Sequence, residues 1–309
     1  MTINEHVTVF AGLPVAAFPS DEPTPDADAV AWRISGDWDT TIEEFGNLFE
    51  TFLSTVDAAA VRALIIGDWG NSYETTAPIE LVASAASRLP RLRALFLGEM
   101  TYEECEISWI KQGDVTAVLD AYPDLEIFRV RGAEGLRLSP VRHGALRELA
   151  FESGGLPGEV VRAVGECDLP ALTHLELWLG TDEYGGDATV DDLAPILAGT
   201  RLPALTYLGI RDAEISDQVA AAIAAAPVVA RLSTLDLSLG VLTDTGVIAL
   251  LGGQPLVHLQ RLDVHHHFLS AELAARLTSE LGEAGVDVDV SDPQDPEGED
   301  GHRYVAVAE

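Results

Sequence analysis

Lysine, cysteine and long apolar runs are all scarce in this chain of 309 residues. Lys111 is the only lysine among 18 basic residues, which face 51 acidic ones and leave a formal net charge of -33 at pH 7. A charge of this sign and size repels phosphate backbones and anionic lipid surfaces. We therefore expect neither a nucleic acid nor a membrane surface as the partner.

The two cysteines, Cys105 and Cys167, show no CxxC or CxxH spacing that would indicate a metal knuckle or a redox pair. We interpret both as buried free thiols. Cys105 also stands between carboxylates in YEECEISWI, and these raise the pKa of a thiol and suppress the reactive thiolate. A structural role is therefore expected for this segment, with Ile107, Trp109 and Ile110 attaching it to the core.

The most apolar stretch, VAAAIAAAPVVARL, is too short for a membrane-spanning helix and is interrupted by Pro227. The start of the chain, MTINEHVTVF, has no basic region ahead of an apolar one, so no signal peptide is predicted and we expect a cytoplasmic protein. The motifs of P-loop, zinc-protease, serine-hydrolase and dinucleotide-binding enzymes are also absent. Accordingly, no catalytic residue and no cofactor are predicted.

One pattern recurs along the chain: an apolar residue, two others, an apolar residue, one other and an apolar residue. Its eight copies begin at residues 61, 92, 125, 146, 172, 205, 232 and 259. Segments with helical periodicity lie between the copies, with Ser216 and Thr243 as expected N-caps and Gly199 as an expected helix end. A short strand followed by a helix, repeated roughly every 27 residues, predicts an α/β solenoid of parallel strands.

The pattern resembles the leucine-rich repeat LxxLxLxxNxL, especially its longer, ribonuclease-inhibitor-like form. That resemblance implies parallel strands on a concave face, helices on a convex face and a cap at each end. The asparagine of the family, at the ninth position, is missing from all eight copies, which hold Trp69, Met100, Ala133, Gly154, Gly180, Ala213, Gly240 and His267. Because this asparagine satisfies backbone groups in regular repeats, we expect other partners for those groups and a short, irregular horseshoe.

Three parts are predicted: an N-terminal cap in residues 1-60, a solenoid of about eight repeats in 61-290, and an acidic linker with a C-terminal strand or tail in 291-309. The cap contains the helix TIEEFGNLFETFLSTV, whose apolar residues at helical spacing are expected to join the core. They are Ile42, Phe45, Leu48, Phe49 and Phe52. Near the other end, VDVDV is predicted as a final strand, and RYVAVAE either pairs back on the fold as a strand or forms a disordered tail.

Longer stretches resemble a family of uncharacterised leucine-rich-repeat proteins from high-GC bacterial genomes. They are VRALIIGDWG, ALFLGEMTYEECEISWI, ESGGLPGEVVRAV, LELWLGTDEYGGDATVDDLAPILAG and HHHFLS. Members of this family resemble scaffolds encoded near radical and ligase-type enzymes. The resemblance implies a companion role in a pathway and transfers no catalytic residue.

Strand alternation places the third, fifth and seventh positions of each copy on the concave face. These positions predict a surface that is apolar around one phenylalanine, cationic at two arginines, and mixed aromatic and acidic further on. The expected partner-binding residues are Phe96, Arg129, Arg131, Glu176, Trp178, Tyr207 and Arg211. Exposed aromatic residues and arginines of this kind anchor protein interfaces. The alternative is that caps or loops cover them.

Three consecutive histidines stand in the last copy, LQRLDVHHHFLS. The repeat register places His265 on the concave face beside Asp263, His266 at the strand exit and His267 at the asparagine position. Side chains that diverge in this way do not hold one ion together, so no metal site is expected. The alternative ligand set is Asp236, Asp263 and His265, which share one face of neighbouring copies.

These observations favour a non-enzymatic scaffold that binds a protein or peptide through its concave face. The partner is expected to be a basic protein or a pathway enzyme, and the chain itself a monomer. The alternative is a metal-binding or metal-dependent hydrolytic module that uses Asp236, Asp263 and His265. A small-molecule binder stays open as a third function.

Overall fold

A computed structural model describes residues 3–20, 24–296 and 301–308 of the chain. The protein forms two compact units, an N-terminal unit that ends at Glu152 and a C-terminal unit that begins at Ser153. None of the helices in these residue ranges combines the length and hydrophobicity that crossing a bilayer requires. Residues 297–300 of the predicted acidic linker lie outside the described residues.

The described part of the N-terminal unit alternates strands with short helices. Its strands are β1 (Val9–Phe10), β2 (Leu13–Phe18), β3 (Ala31–Ile34), β4 (Ala63–Ile66), β5 (Ala94–Leu97), β6 (Ile127–Arg131) and β7 (Glu148–Glu152), and its helices are α1 (Ile42–Thr55), α2 (Ile79–Ser84) and α3 (Thr116–Ala121). β1 is antiparallel to β2, and each strand from β2 to β6 pairs in parallel with the next, so that this parallel order ends at β7.

The C-terminal unit repeats the same alternation, with helices longer than α2 and α3. Its strands are β8 (His174–Gly180), β9 (Tyr207–Ala213), β10 (Thr234–Asp236), β11 (Arg261–Asp263) and β12 (Asp287–Asp289), and its helices are α4 (Gly158–Glu166), α5 (Val190–Ala198), α6 (Ser216–Ile223), α7 (Asp244–Leu251) and α8 (Ala271–Gly282). All five strands pair in parallel and in sequence order. This arrangement is that of a leucine-rich-repeat-like fold.

Every copy of the repeated motif contains a strand that begins at the third residue of the motif. These first residues are Ala63, Ala94, Ile127, Glu148, His174, Tyr207, Thr234 and Arg261. In one copy, Leu172, Leu175 and Leu177 at positions one, four and six are fully buried. A register slip of one residue would expose all such side chains, so their burial fixes the pairing. The α/β class with parallel strands and intervening helices is confirmed, and the horseshoe and the caps stay predictions.

Two further strands continue the same register. Ala31 of β3 lies opposite Ala63 of β4, and Asp287 of β12 lies opposite Arg261 of β11. Neither strand was assigned to the repeat from the sequence, because alanine and glycine stand at their first motif positions.

Helix α1 begins at a capping box. The Thr41 hydroxyl accepts a hydrogen bond from the Glu44 N–H at 3.2 Å, and the Glu44 carboxylate accepts one from the Thr41 N–H at 2.9 Å. Phe45 and Phe49 are buried as predicted. Ile42 is 46% exposed, so its assignment to the core was wrong; it lies in the first turn, where the helix leaves the packed interior.

Two of the expected helix-terminal residues act as caps and one does not. The Thr243 hydroxyl accepts from the Thr245 N–H at 3.2 Å, and α5 ends at Gly199 in the left-handed conformation with φ 64°. Ser216 is the first residue of α6 instead of its N-cap, because its hydroxyl donates to the Ala213 carbonyl at 2.6 Å.

His267 performs the task of the missing asparagine. Its Nδ1 accepts from the Leu269 N–H at 3.1 Å, and its Nε2–H donates to the Val290 carbonyl at 3.0 Å. The ring is buried, which lowers the pKa of His267 and keeps it neutral. In the first copy, Trp69 at the same motif position donates from Nε1 to the Thr75 carbonyl at 2.8 Å. Different side chains therefore satisfy the turns of different copies.

The C-terminal residues 301–308 pack back on the C-terminal unit without forming a strand. Val305 is 5% exposed and Val307 is 2% exposed. The Ala306 N–H donates to the Leu239 carbonyl at 2.7 Å, and the Val307 N–H donates to Asp212 Oδ1 at 2.9 Å. Of the two alternatives left open for RYVAVAE, neither describes residues 303–308 fully, since they pack on the fold but do not form a strand.

Replacing His267 with alanine leaves the Leu269 N–H and the Val290 carbonyl without partners, which costs on the order of 1–3 kcal/mol of unfolding free energy. We expect faster hydrogen exchange of the Leu269 amide and a lower urea midpoint for the variant. The matched His267→Asn variant restores the residue of regular repeats and should lose less. Unchanged exchange in the alanine variant would show that other groups serve this turn.

Asp212 is fully buried with φ 51°, and its Oδ2 has no hydrogen-bond partner within the described residues. Burial raises the pKa of Asp212 well above its ordinary value. The folded state therefore favours the neutral carboxyl more than the unfolded chain does, so this site costs stability as the pH rises above about 4.

The Asp212→Asn variant should remove this pH-dependent cost. Asparagine tolerates a positive φ and keeps an oxygen that can accept from the Val307 N–H. We expect a higher thermal midpoint than wild type near pH 7 and a much smaller difference near pH 4. A variant that is less stable than wild type at both pH values would contradict a raised pKa of Asp212 in the folded state.

Candidate functional site

The polar residues of the C-terminal unit gather on one side of β8–β12, which carries the third, fifth and seventh motif positions and is called the strand face. Neighbouring strands lie about 4.8 Å apart, so side chains in register reach one another. Glu176 Oε1 accepts from Trp178 Nε1 and from Arg211 Nη1, both at 2.7 Å. The Arg211 guanidinium lies 5.2 Å from the centre of the Trp178 ring. These three predicted residues therefore form one cluster.

Tyr207 joins this cluster to the next strand. Its ring stacks on His174 with centres 3.8 Å apart, and its hydroxyl donates to Asp236 Oδ2 at 2.8 Å. Burial, reinforced by the carboxylates of Glu176 and Asp236, raises the pKa of Tyr207. Burial acts to lower the pKa of Arg211, but the same carboxylates outweigh it and raise the pKa. Tyr207 is thus a neutral donor and Arg211 a permanent cation.

A second cluster surrounds Asp263 on β11. Its carboxylate accepts from His265 Nδ1 at 2.7 Å and from Arg261 Nη2 at 2.8 Å. Arg261 also donates to Asp287 at 2.5 Å and to Asp289 at 2.7 Å. Burial acts to raise the pKa of Asp263, but the hydrogen bonds from His265 and Arg261 outweigh it and hold the pKa well below its usual range. The same bond from Asp263 raises the pKa of His265.

The predicted metal ligands are only partly brought together. One ligand atom from each of Asp263, His265 and Asp289 lies within 4.8 Å of the others. Asp236 is not in this group, and its Oδ2 accepts a hydrogen bond from the Tyr207 hydroxyl. Asp289 was missed because VDVDV was predicted as a strand without being aligned to the repeat. Arg261 already donates to two of the three ligand residues.

The three consecutive histidines diverge as the register predicted. His265 lies on the strand face beside Asp263, and its side chain is 21% exposed. His266 is buried with φ 54°, and its Nε2 donates to the Tyr304 carbonyl at 3.2 Å. His267 points to the turn. The triplet therefore does not form a joint metal site.

In the N-terminal unit, the expected apolar part of the surface is covered. Phe96 is 1% exposed, and its ring centre lies 5.9 Å from that of Phe10. Both rings belong to a buried cluster with Ala31 and Ile65, against which Val15 also packs. Phe96 is therefore not available to a partner, because the N-terminal segment occupies its face.

The expected cationic part of the surface consists of ion pairs. Arg129 Nε donates to Glu148 at 2.5 Å, and Arg131 Nε donates to Glu152 at 2.8 Å. Arg131 is only 6% exposed and also donates to the Met100 carbonyl at 2.7 Å. An open cationic surface is thus absent here. The signal was present in the sequence, since Glu152 stands at the same motif position as Arg131 in the next copy.

The segment around Cys105 differs in one respect from expectation. Burial, with added repulsion from Asp68 and neighbouring glutamates, raises the pKa of Cys105 to about 12, which disfavours the reactive thiolate. Ile107 and Ile110 are buried as expected. Trp109 is 53% exposed, so its assignment to the core was wrong.

Parallel strands in sequence order, helices between them and a polar strand face define an α/β protein of the leucine-rich-repeat-like type. The crystal structure of a Bacteroides fragilis protein from the Northeast Structural Genomics Consortium is similar to it, with a TM-score of 0.74 and 30% sequence identity over 84% of this chain and 74% of that one. This chain belongs to the same family as the Bacteroides fragilis protein.

Other comparisons are more distant. An internalin from Listeria monocytogenes matches 86% of this chain and 82% of its own, with 14% identity and a TM-score of 0.32, which is too low to indicate a common fold. No family model and no curated protein matches the chain.

The Asp263→Asn variant should lower the pKa of His265 toward the ordinary value of about 6.5, because it removes the carboxylate that stabilises the imidazolium. NMR titration of the His265 ring measures the shift, and Asp191→Asn on α5 is the matched control. In wild type, the raised pKa of His265 gives stability that is lost as the pH rises through that value. The lowered pKa of Asp263 gives stability that is lost in acid, so the pair stabilises most between about pH 4 and 6.5. An unchanged His265 pKa would contradict the pairing.

Proposed function

We propose that this protein is a non-enzymatic scaffold that binds a basic segment of a partner protein on the strand face of the C-terminal unit. The observation that carries the proposal is a set of aromatic and charged side chains that hold one another in place by hydrogen bonds and stacking. These side chains are still partly exposed to solvent. Trp178 is 8% exposed, whereas the side chains of His174 and Arg211 are 26% and 16% exposed. Side chains held in place before binding lose little conformational entropy when a partner arrives.

The charge of this surface supports a basic partner. Its guanidinium groups are those of Arg211 and Arg261. Its carboxylates are those of Glu176, Asp236, Asp263, Asp287 and Asp289. The excess of carboxylates attracts a cationic segment, and the attraction weakens as salt rises.

Four of the seven expected partner-binding residues belong to the proposed surface: Glu176, Trp178, Tyr207 and Arg211. The other three lie in the N-terminal unit, where Phe96 and Arg131 are buried and Arg129 is ion-paired. The proposal therefore rests on the C-terminal unit alone.

The decisive experiment captures a partner from native lysate, identifies it by mass spectrometry and measures its affinity for purified variants by calorimetry. Tyr207→Ala removes the partly buried ring that stacks on His174 and should weaken binding by about tenfold or more. Ile248→Ala on α7, which removes a side chain 58% exposed, is the matched control. If the Tyr207→Ala variant binds the partner with the affinity of wild type, the strand face is not the binding surface.

A second candidate function is metal binding, favoured by the convergence of Asp263, His265 and Asp289. A cation would have to displace the guanidinium of Arg261 from two of these carboxylates. Titration of tag-free protein with Zn²⁺ should then give a saturable shift of the His265 ring NMR signals. The Zn²⁺ affinity should be higher in the Arg261→Ala variant, and the shift should be lost in the Asp289→Asn variant. A Zn²⁺ affinity that is unchanged by both substitutions would argue against this site.

A further inference from the structure

Exposed aromatic side chains gather in the N-terminal unit, in the loops that follow β3, β4 and β5. Of the large hydrophobic side chains exposed within the described residues, the aromatic ones are Trp38, Tyr73, Tyr102 and Trp109, exposed by 80%, 51%, 44% and 53%. The carboxyl ends of neighbouring parallel strands meet at one edge of a sheet, so these loops lie side by side. Single exposed apolar residues are ordinary, but a group of aromatic ones at one edge marks an interaction site.

Two adjoining cavities contain these rings. The first, of about 340 Å³, is lined by Tyr73, Tyr102, Glu104, Cys105, Glu106 and Trp109. The second contains Trp38 together with Asp37, Asp39, Glu103 and Glu104. Glu104 lines both, so they form one continuous region, which we call the aromatic–acidic surface.

Hydrogen bonds between the loops hold this surface in place. The Gly36 N–H donates to the Asp68 carbonyl at 2.7 Å, and the Lys111 N–H donates to the Ser72 carbonyl at 2.9 Å. Gly70 has φ 83°, and a Cβ there would lie 1.8 Å from a carbonyl oxygen of the loop after β3. Glycine therefore allows the two loops to approach closely, and the rings project from a fixed backbone.

Most of the described carboxylates of this surface form no ion pair, and Glu104, which lies near Arg33 and His6, is the exception among those named here. Within the described residues, no ion pair is formed by Asp37, Asp39, Glu103 or Glu106. The nearby Lys111 pairs with Glu134 at 3.4 Å, and Arg33 lies 3.5 Å from Glu104. A ligand that supplied positive charge would therefore meet carboxylates not yet neutralised by the protein.

We propose that the aromatic–acidic surface binds an arginine- or lysine-containing segment of a partner protein, with a cationic side chain in the cavity of Trp109, Tyr102 and Tyr73. Cations are attracted to aromatic faces, and guanidinium groups form paired hydrogen bonds with carboxylates. A purely apolar partner would bury these carboxylates without compensation. This surface lies in the N-terminal unit and does not rest on the strand-face proposal.

The test uses the full chain and a synthetic peptide, acetyl-Gly-Arg-Gly-Arg-Gly-amide, with a neutral citrulline version for comparison. Binding is followed by the tryptophan indole NMR signals at low and high salt. We expect saturable shifts with the arginine peptide only, and a loss of about fivefold or more in affinity for Trp109→Ala. Tyr73→Ala, also at a half-exposed position, provides a second variant that should weaken binding in the same direction.

Controls separate a defined site from general attraction to an acidic protein. Asp120→Asn removes an exposed carboxylate from α3 and should change affinity less than Glu106→Gln, and Ile248→Ala should have no effect. Equal effects of Asp120→Asn and Glu106→Gln, with no effect of Trp109→Ala, would overturn the proposal. Equal binding of the citrulline peptide would also overturn it. If Tyr207→Ala alone weakens binding, the peptide uses the strand face, which supports the proposed function and overturns this second surface.

Discussion

In-register parallel pairing forces side chains at equal motif positions to share a small space, because neighbouring strands lie about 4.8 Å apart. On the strand face, Glu176 lies opposite Gly209, which has no side chain. A Cβ at Gly209 would lie 3.1 Å from the Tyr207 ring. The glycine therefore leaves room for Tyr207 and Arg211 to close over Glu176, and the whole cluster follows from the register.

Charged side chains that the register brings together away from solvent must form ion pairs and hydrogen bonds with one another. The Arg131–Glu152 pair is nearly removed from solvent, and Arg33 is similarly bonded to the buried Glu99. Removing water from two charges costs about as much as their attraction returns, so such pairs add little net stability. Losing one partner is expensive, however, because it leaves the other charge buried alone. These pairs therefore fix side-chain positions more than they stabilise the units.

The strands and most helices were predictable because burial of regularly spaced apolar residues leaves a periodic signal. Pairing between side chains on neighbouring strands leaves a weaker signal in the sequence. Glu148 neutralises Arg129 from the next copy, and Asp289 reaches Asp263 from a strand whose motif lacks leucine. The cover that Phe10 places over Phe96 has no periodic signal at all, since it depends on where a distant segment packs. The exposure of Trp109 was missed for the same reason. Tryptophan is an apolar residue and was expected in the core, but the path of the loop backbone places its side chain in solvent.

The last strand of the C-terminal unit has a consequence for behaviour at high concentration. Within the described residues β12 pairs with β11 alone, so its other edge offers unpaired backbone groups. Exposed strand edges invite a second chain to add and begin fibrous aggregation. Here that edge carries Asp287 and Asp289, is only three residues long, and is followed by Pro293, which has no N–H to donate. An approaching copy would bring the same carboxylates against them, which disfavours pairing of two copies through this edge.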